Sequence, residues 1–169
     1  LFPYTTLFRS GQRREHLLTL DAGEYVQGRL AGAGMRLALL NLPTIACISG
    51  HSYGGGALIA SCFDFRVMRA DRGYFCFPEI DIKLPFTPVM TDCVGNLPNE
   101  AARRRMALTG QRVGGSDMLA LGLVEAVCPA DELAATSLAL AAQLAQKHRP
   151  TYTAIKRSLL ALRWQKWLA

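Results

Sequence analysis

The sequence predicts an α/β fold that ends in a helical region. Short β-branched or aromatic segments alternate with helical segments between residues 44 and 129, a pattern typical of a sheet with helices packed against it. From about Ala130 onwards, apolar residues recur at helical spacing. The chain has 169 residues, 50% of them hydrophobic, and is therefore long enough to bury a core.

Each element has a local signal. The run at 21–41 predicts a helix by its spacing of apolar residues, and TIACISG at 44–50 predicts a buried strand because it is short, β-branched and bounded by Pro and Gly. Gly110 is predicted to end one helix, and Ser116 or Asp117 to cap the next. The predicted strands are 44–50, 65–70, 74–77 and 123–129, and the predicted helices are 21–41, 54–64, 85–96, 99–110, 114–122, 131–148 and 149–169.

The first ten residues, LFPYTTLFRS, are interpreted as a non-native leader. All ten positions match the translation of a common short-read sequencing adapter, and the chain does not begin with Met. Tyr4 and Arg9 interrupt the apolar residues, whereas a secretory signal needs a continuous apolar core. The predicted organisation is a leader at 1–10, a partial core at 11–129 and a helical region at 130–169.

Composition and charge argue against several functional classes. No apolar run approaches the roughly 18 residues of a membrane-spanning helix, so no membrane partner is expected. The net charge of +6 is scattered, which argues against nucleic-acid binding. The five cysteines are isolated and lie mostly in apolar segments, which predicts reduced thiols in a cytoplasmic protein. The three histidines lack the spacing of metal ligands, so no metal site is expected.

The segment ISGHSYGGGALIA at 48–60 carries the strongest chemical signal. A predicted strand leads into three consecutive glycines, Gly54 to Gly56, and a helix begins at once. Glycines allow a ligand to approach the backbone closely. The first turn of a helix presents unpaired N–H groups and the positive end of the helix dipole. This arrangement suits an anion, or a carbonyl oxygen that becomes anionic.

One interpretation of this turn is a nicotinamide oxidoreductase of the short-chain dehydrogenase type. The spacing of Gly50, Gly54 and Gly56 imitates a dinucleotide-binding turn, and Tyr152 and Lys156 supply a Tyr-x-x-x-Lys pair. That turn should follow the first strand of the fold, whereas a long helical segment precedes this one. The Tyr–Lys pair also lies in the last predicted helix. This interpretation is therefore the less favoured alternative.

A second interpretation covers much more of the chain. LPTIACISGHSYGGGALIASCFDFRVMRADRGYFCFPEIDI at 42–82 resembles the core of the crotonase (enoyl-CoA hydratase/isomerase) superfamily, and MALTGQRVGGSDMLALGLVEAVCP at 106–129 continues the resemblance. Met118 departs from it, because the superfamily usually has Ala there. The resemblance implies a spiral of ββα units, incomplete at its N-terminus, with C-terminal helices that usually assemble trimers.

The resemblance also implies an oxyanion hole. In this superfamily two backbone N–H groups hold the thioester carbonyl of an acyl-CoA, and Gly55, the middle glycine of the triplet, matches one of these donors. The other donor is expected from an upstream motif that is not found between Gly11 and Pro43. The implied substrate contacts are Tyr53, Gly54, Gly56, Leu58, Phe86 and Lys156. For Lys156, solvent exposure on a helix face is the equal alternative to contact with the nucleotide part of coenzyme A.

Hydratases of the superfamily use two glutamates, and this chain matches only one of them. Leu58 occupies the position just after the glycine triplet, whereas the Pro-Glu pair further on supplies Glu79. A single carboxylate can take a proton from C2 and return it to C4. The resemblance therefore implies a Δ3,Δ2-enoyl-CoA isomerase with Glu79 as its base. Apolar surroundings from Phe75, Phe77 and Phe86 are expected to raise the pKa of that carboxyl.

Some alternatives remain open at the level of the sequence. Glu79 could be a surface carboxylate paired with Lys83 or Arg72, and Asp64 is expected to act as a cap or in a salt bridge. The implied partners are an acyl-CoA thioester and further copies of the full-length chain, with no cofactor besides the coenzyme A of the substrate. The alternative function is a non-catalytic relative that binds acyl-CoA.

Overall fold

The computed structural model describes residues 6–9 and 31–164. The strands in these ranges are β1 (Thr6–Arg9), β2 (Thr44–Ile48), β3 (Ser52–Tyr53), β4 (Phe65–Arg69), β5 (Phe75–Cys76) and β6 (Ala126–Cys128). The helices are α1 (Ala31–Ala38), α2 (Gly55–Ser61), α3 (Pro88–Gly95), α4 (Glu100–Thr109), α5 (Gly115–Ala120), α6 (Leu133–Ala145) and α7 (Arg149–Trp164), with a short 3-10 helix at Pro78–Ile80.

The strands form two parallel sheets, and from β2 onwards successive strands belong alternately to one sheet and the other. β1, β2, β4 and β6 lie in that order in the larger sheet, and β3 pairs with β5 in the smaller one. The chain runs from β2 through β3 into α2, and then from β4 through β5 into the 3-10 helix. This repeated order of strand, strand and helix, followed by helices at the C-terminal end, confirms the predicted spiral of ββα units.

Strand β1 lies within the segment that is predicted to be a non-native leader. Thr6 is opposite Thr44 and Arg9 is opposite Cys47 in a parallel pairing. Backbone groups make this pairing, and an open sheet edge accepts an extended segment of almost any sequence. The origin of the leader therefore stays a prediction.

The predicted strands and helices between residues 44 and 164 all form, most of them with shorter bounds. Gly110 ends α4 in the left-handed conformation at φ 64°, as predicted. One cap prediction is wrong, because α5 begins after Gly114 without any side-chain cap from Ser116 or Asp117.

Part of the predicted helix at 21–41 is present as α1, whereas residues 10–30 and 165–169 lie outside the described residues. Within the described ranges, no helix combines the length and the apolar character needed to cross a bilayer.

The larger sheet has an apolar core on each face. Ile45 and Val67 face α6 and form a small core with residues of that helix. Ala46 and Met68, their neighbours along the strands, belong to the main core. A sheet buried on both faces requires apolar residues at consecutive positions, which explains the unbroken apolar strand segments. Met118, the departure from the superfamily pattern, is fully buried in the main core.

Candidate active site

The glycine triplet lies where β3 meets α2. Gly54 has φ 53° and ψ −120°, a backbone conformation that residues other than glycine rarely adopt. Its N–H donates to the Cys76 carbonyl oxygen at 3.0 Å. Gly55 is the first residue of α2. Its N–H therefore lies in the first turn, where no intrahelical acceptor is available. This N–H is the predicted oxyanion donor.

Two backbone segments lie in close contact just before the glycine turn, one at Gly50 and the other at Gly73. Gly73 has φ 99°, and a Cβ at this position would overlap the backbone carbonyl of Gly50. The next residue, Tyr74, accepts a hydrogen bond from the Ser52 N–H at 2.9 Å. In the sequence, Gly73 falls between the predicted strands 65–70 and 74–77, and its one signal is a glycine just before a strand.

Glu79 lies against the glycine turn. It is the middle residue of the 3-10 helix that follows β5, and it is only 4% exposed. Its Oε1 is 3.9 Å from the position that a Cβ on Gly54 would occupy. Its Oε2 is buried and has no hydrogen-bond partner among the described residues. The alternative of a surface carboxylate paired with Lys83 or Arg72 is therefore wrong.

The burial of Glu79 changes the pKa of its carboxyl. Burial raises the pKa of the carboxyl above its ordinary value, and the backbone N–H of Glu79 itself opposes the shift. Phe77, two residues earlier in the chain, is buried between Phe75 and Phe86, with ring centroids 5.5 Å and 6.1 Å apart in edge-to-face contacts. The three rings form one aromatic cluster in the part of the chain that carries Glu79, and their effect on its carboxyl stays a prediction.

Three further predicted residues lie in the triplet or close to it in the chain. Tyr53 is 41% exposed, with its ring edge-on to Tyr74 at 6.0 Å. Gly56 is half-buried, and no described atom lies within 4 Å of the place that its Cβ would take. Leu58 is 1% exposed and packs in the main core. Its side chain is buried, as that of Glu79 is, and its place among the substrate contacts stays a prediction.

The prediction for Lys156 requires a correction. Its Nζ donates to Asp64 Oδ2 at 2.8 Å and to the Leu42 carbonyl oxygen at 3.2 Å, and it is only 6% exposed. Neither the expected contact with coenzyme A nor the exposed helix face is compatible with this ion pair. Burial lowers the pKa of Lys156, and Asp64 opposes that shift. The salt bridge expected for Asp64 is confirmed.

The Tyr-x-x-x-Lys pair is a structural anchor. The Tyr152 hydroxyl donates to the same Asp64 oxygen, at 3.0 Å, so both members of the pair hold α7 to the start of β4. Burial is the largest of the causes that raise the pKa of Tyr152, with Asp64 adding to it. Neither group is available to a ligand at the glycine turn.

One feature beside the site has no signal in the sequence, and one predicted feature lies outside the described residues. Ser52 Oγ, in β3, is buried and has no partner among the described residues, and no sequence signal distinguishes this serine from an ordinary strand residue. The predicted second oxyanion donor is upstream, and residues 10–30 lie outside the described residues.

The geometry thus combines one buried carboxyl with the start of a helix. A carboxyl with a raised pKa can take up and return a proton near neutral pH. A backbone N–H at a helix start can stabilise a developing oxyanion. The profile of the enoyl-CoA hydratase/isomerase family matches residues 5–163. The chain belongs to this family. Membership sets aside the dehydrogenase interpretation of the glycine turn.

The chain is similar to members of the enoyl-CoA hydratase/isomerase family both in sequence and in structure. Enoyl-CoA delta isomerase 3 and the peroxisomal enoyl-CoA delta isomerase 2 of Arabidopsis thaliana are each 33% identical over 129 residues, which is 72% of this chain and 54% of each relative. The chain therefore spans about half the length of these curated relatives. The solved structure of an enoyl-CoA isomerase from Mycobacterium tuberculosis is 16% identical and has a TM-score of 0.83 over 96% of this chain and 75% of that one. That structure shows the same fold.

Proposed function

We propose that the protein containing this chain is a Δ3,Δ2-enoyl-CoA isomerase. The observation that carries the proposal is the buried Glu79 carboxyl, which lies against Gly54 with one oxygen unpartnered among the described residues. Leu58 occupies the position of the second carboxylate of hydratases, which favours proton transfer over water addition. The identity to the two Arabidopsis enoyl-CoA delta isomerases supports the same reaction.

The proposed reaction moves one proton. The Gly55 N–H and an upstream donor polarise the thioester carbonyl, which acidifies the C2 proton. Glu79 removes that proton, and the negative charge of the resulting dienolate rests mainly on the thioester oxygen near Gly55. Glu79 then gives the proton to C4, so that the double bond moves from C3–C4 to C2–C3. The only group required besides the protein is the coenzyme A of the substrate.

The proposal includes an acyl-CoA thioester as substrate, self-association of the full-length chain into trimers or multiples of them, and a cytoplasmic location. Self-association is supported by a stripe of apolar residues on α7, formed by Ile155, Leu159 and Leu162, of which Leu162 is 97% exposed. Residues spaced by three or four along a helix share a face. The cytoplasmic location is supported by the five free cysteines.

The experiment measures conversion of a 3-enoyl-CoA to its 2-enoyl isomer by the full-length protein and by two variants. Glu79→Gln should lower kcat about 100-fold or more while acyl-CoA still binds, because the base is lost and the shape is kept. Asp81→Asn is the matched control, since Asp81 is an exposed carboxylate two residues further on and should keep its activity.

Two results would contradict the proposal. Full activity of Glu79→Gln would exclude Glu79 as the base. Acyl-CoA binding by the full-length protein with no turnover of any enoyl-CoA would favour the non-catalytic alternative instead.

A further inference from the structure

Two buried thiols are in contact where the end of α2 lies against α3. Cys62 directly follows the last residue of α2, and Cys93 lies in α3. Their sulfur atoms are 3.4 Å apart although the residues are separated by 31 positions. Both residues are almost fully buried. Tertiary packing, and not local chain geometry, therefore brings the two thiols together.

The backbone of α1 covers the pair. A Cβ on Gly34 would come within 3.1 Å of the Cys62 sulfur and 3.3 Å of the Cys93 sulfur, which is closer than ordinary packing allows. The glycine at this position therefore lets α1 lie directly on both sulfurs. Access to the thiols therefore requires α1 to separate locally from them, and segments with few buried contacts open in this way more readily than the core does.

An unsatisfied donor belongs to the same cluster. Asn96 Oδ1 accepts a hydrogen bond from the Trp164 indole N–H at 3.1 Å, but Asn96 Nδ2 is buried with no partner among the described residues. Buried donors without partners are rare. A Cys62 sulfur that carries a negative charge or an oxygen atom would offer this N–H an acceptor.

The pKa of Cys62 agrees with this arrangement. The Cys93 thiol and burial raise the pKa of the Cys62 thiol well above its ordinary value, whereas Asn96 and Arg66 lower it. The closed fold thus favours the protonated form of the Cys62 thiol. The groups that oppose this shift are the ones that would stabilise a charged sulfur.

We propose that Cys62 and Cys93 form an oxidisable dithiol that a hydroperoxide converts into a disulfide. The Cys62 thiolate attacks hydrogen peroxide, the O–O bond breaks, one oxygen stays on sulfur as a sulfenic acid, and the other leaves as water. The Cys93 thiolate then attacks that sulfur and displaces the second oxygen as water. The two sulfurs lose two electrons, and these electrons reduce one peroxide to two water molecules.

The sulfur atoms need only a short movement to form this bond. A disulfide has a bond length of about 2.0 Å, so the sulfurs must approach by about 1.4 Å from their separation of 3.4 Å. The new bond would join the end of the helix that begins at Gly55 to the helix that follows the Glu79 segment. The inference does not depend on the proposed function, because thiol oxidation can be measured without catalysis.

The experiment treats the folded protein with hydrogen peroxide, blocks the remaining thiols with an alkylating agent and maps the tryptic peptides. Cleavage after Arg and Lys places Cys62 in peptide 37–66 and Cys93 in peptide 84–103. These peptides should be recovered as one linked species that is two hydrogen atoms lighter than their sum and that dithiothreitol separates.

Because peptide 37–66 also contains Cys47, three variants assign the link. Cys47→Ser should keep it, and both Cys62→Ser and Cys93→Ala should lose it. In urea, the same oxidation should distribute links among all five cysteines, since the fold no longer selects the pair. The proposal is overturned if Cys93 stays fully alkylatable after the other cysteines oxidise, if the link survives in Cys62→Ser, or if the folded and unfolded chains give the same links.

Discussion

Glu79 brings a carboxyl into the interior, and this has a cost that depends on pH. Its folded-state pKa lies above the unfolded value of about 4.3 because burial disfavours the charged form. Between these two pKa values the folded state binds more protons than the unfolded state. The stability of the fold therefore decreases as the pH rises through that window, and below the unfolded pKa the cost is absent.

Glu79→Gln should consequently stabilise the protein at pH 7 while it removes activity. Gln keeps the shape of the side chain but has no charge to bury. The free energy of unfolding, measured by urea denaturation, should be higher for the variant at pH 7, and the difference should disappear at about pH 4. A variant that is less stable than the wild type at pH 7 would contradict the cost assigned to this carboxyl.

Among the described glycines, Gly73 would bring an added Cβ closest to another part of the backbone. Gly73→Ala adds a Cβ that overlaps the Gly50 carbonyl at a positive φ, so it should cost more than about 3 kcal/mol. Gly122→Ala is the matched control, because Gly122 has φ 64° but no described atom within 4 Å of the added Cβ. This control should cost only about 1 kcal/mol, from backbone strain alone. Equal losses in urea denaturation would show that the contact with Gly50 is unimportant.

At the scale of the elements, one carboxylate joins α7 to the larger sheet. Asp64 Oδ2 accepts from the Thr44 N–H at 2.9 Å and from the Thr44 hydroxyl at 3.1 Å, in addition to Tyr152 and Lys156. Thr44 begins β2, Asp64 precedes β4, and the other two residues lie on α7. The position of the last helix therefore depends on this cluster.

Removing the carboxylate should be costly because it leaves a buried cation unpaired. Asp64→Ala should lower the free energy of unfolding by about 3–5 kcal/mol, and the double variant with Lys156→Met should recover part of that loss. Asp71→Ala, which breaks the exposed pair with Arg69, is the control and should leave stability nearly unchanged. If the two single variants lose the same stability in urea denaturation, the buried pair has no special role.

At the scale of the whole molecule, the fold leaves the apolar stripe of α7 largely exposed. Leu159 is 74% exposed in the middle of this stripe. A charge at this position should disfavour the proposed self-association, because burial of an unpaired carboxylate opposes contact between apolar faces.

Leu159→Glu in the full-length protein should therefore shift the sedimentation coefficient towards that of a single chain. Ala154→Glu adds the same charge at an exposed position of α7 that is not three or four residues from any member of the stripe, and it should leave the assembly intact. An unchanged sedimentation coefficient for Leu159→Glu would remove α7 from the proposed interface.

The sequence by itself determines those features that depend on local backbone conformation. The strand at residues 44–50, the glycines that follow it and the helix that starts at Gly55 are predicted correctly, because residue spacing and glycine preferences act within a few positions. The single match to the paired glutamates of hydratases also identifies Glu79 as the candidate base. The caps expected at Ser116 and Asp117 fail because several adjacent residues could start that helix equally well.

Only the tertiary structure decides how distant residues meet and which side chains lose contact with water. The local sequence around Lys156 does not distinguish a lysine that faces solvent from one that pairs with a buried carboxylate. Its partner, Asp64, is 92 residues away in the chain. The burial of Leu58, the contact of Cys62 with Cys93 and the raised pKa of Glu79 have the same origin. Each depends on how whole elements pack, and burial with its energetic consequences is a property of that packing and not of local sequence.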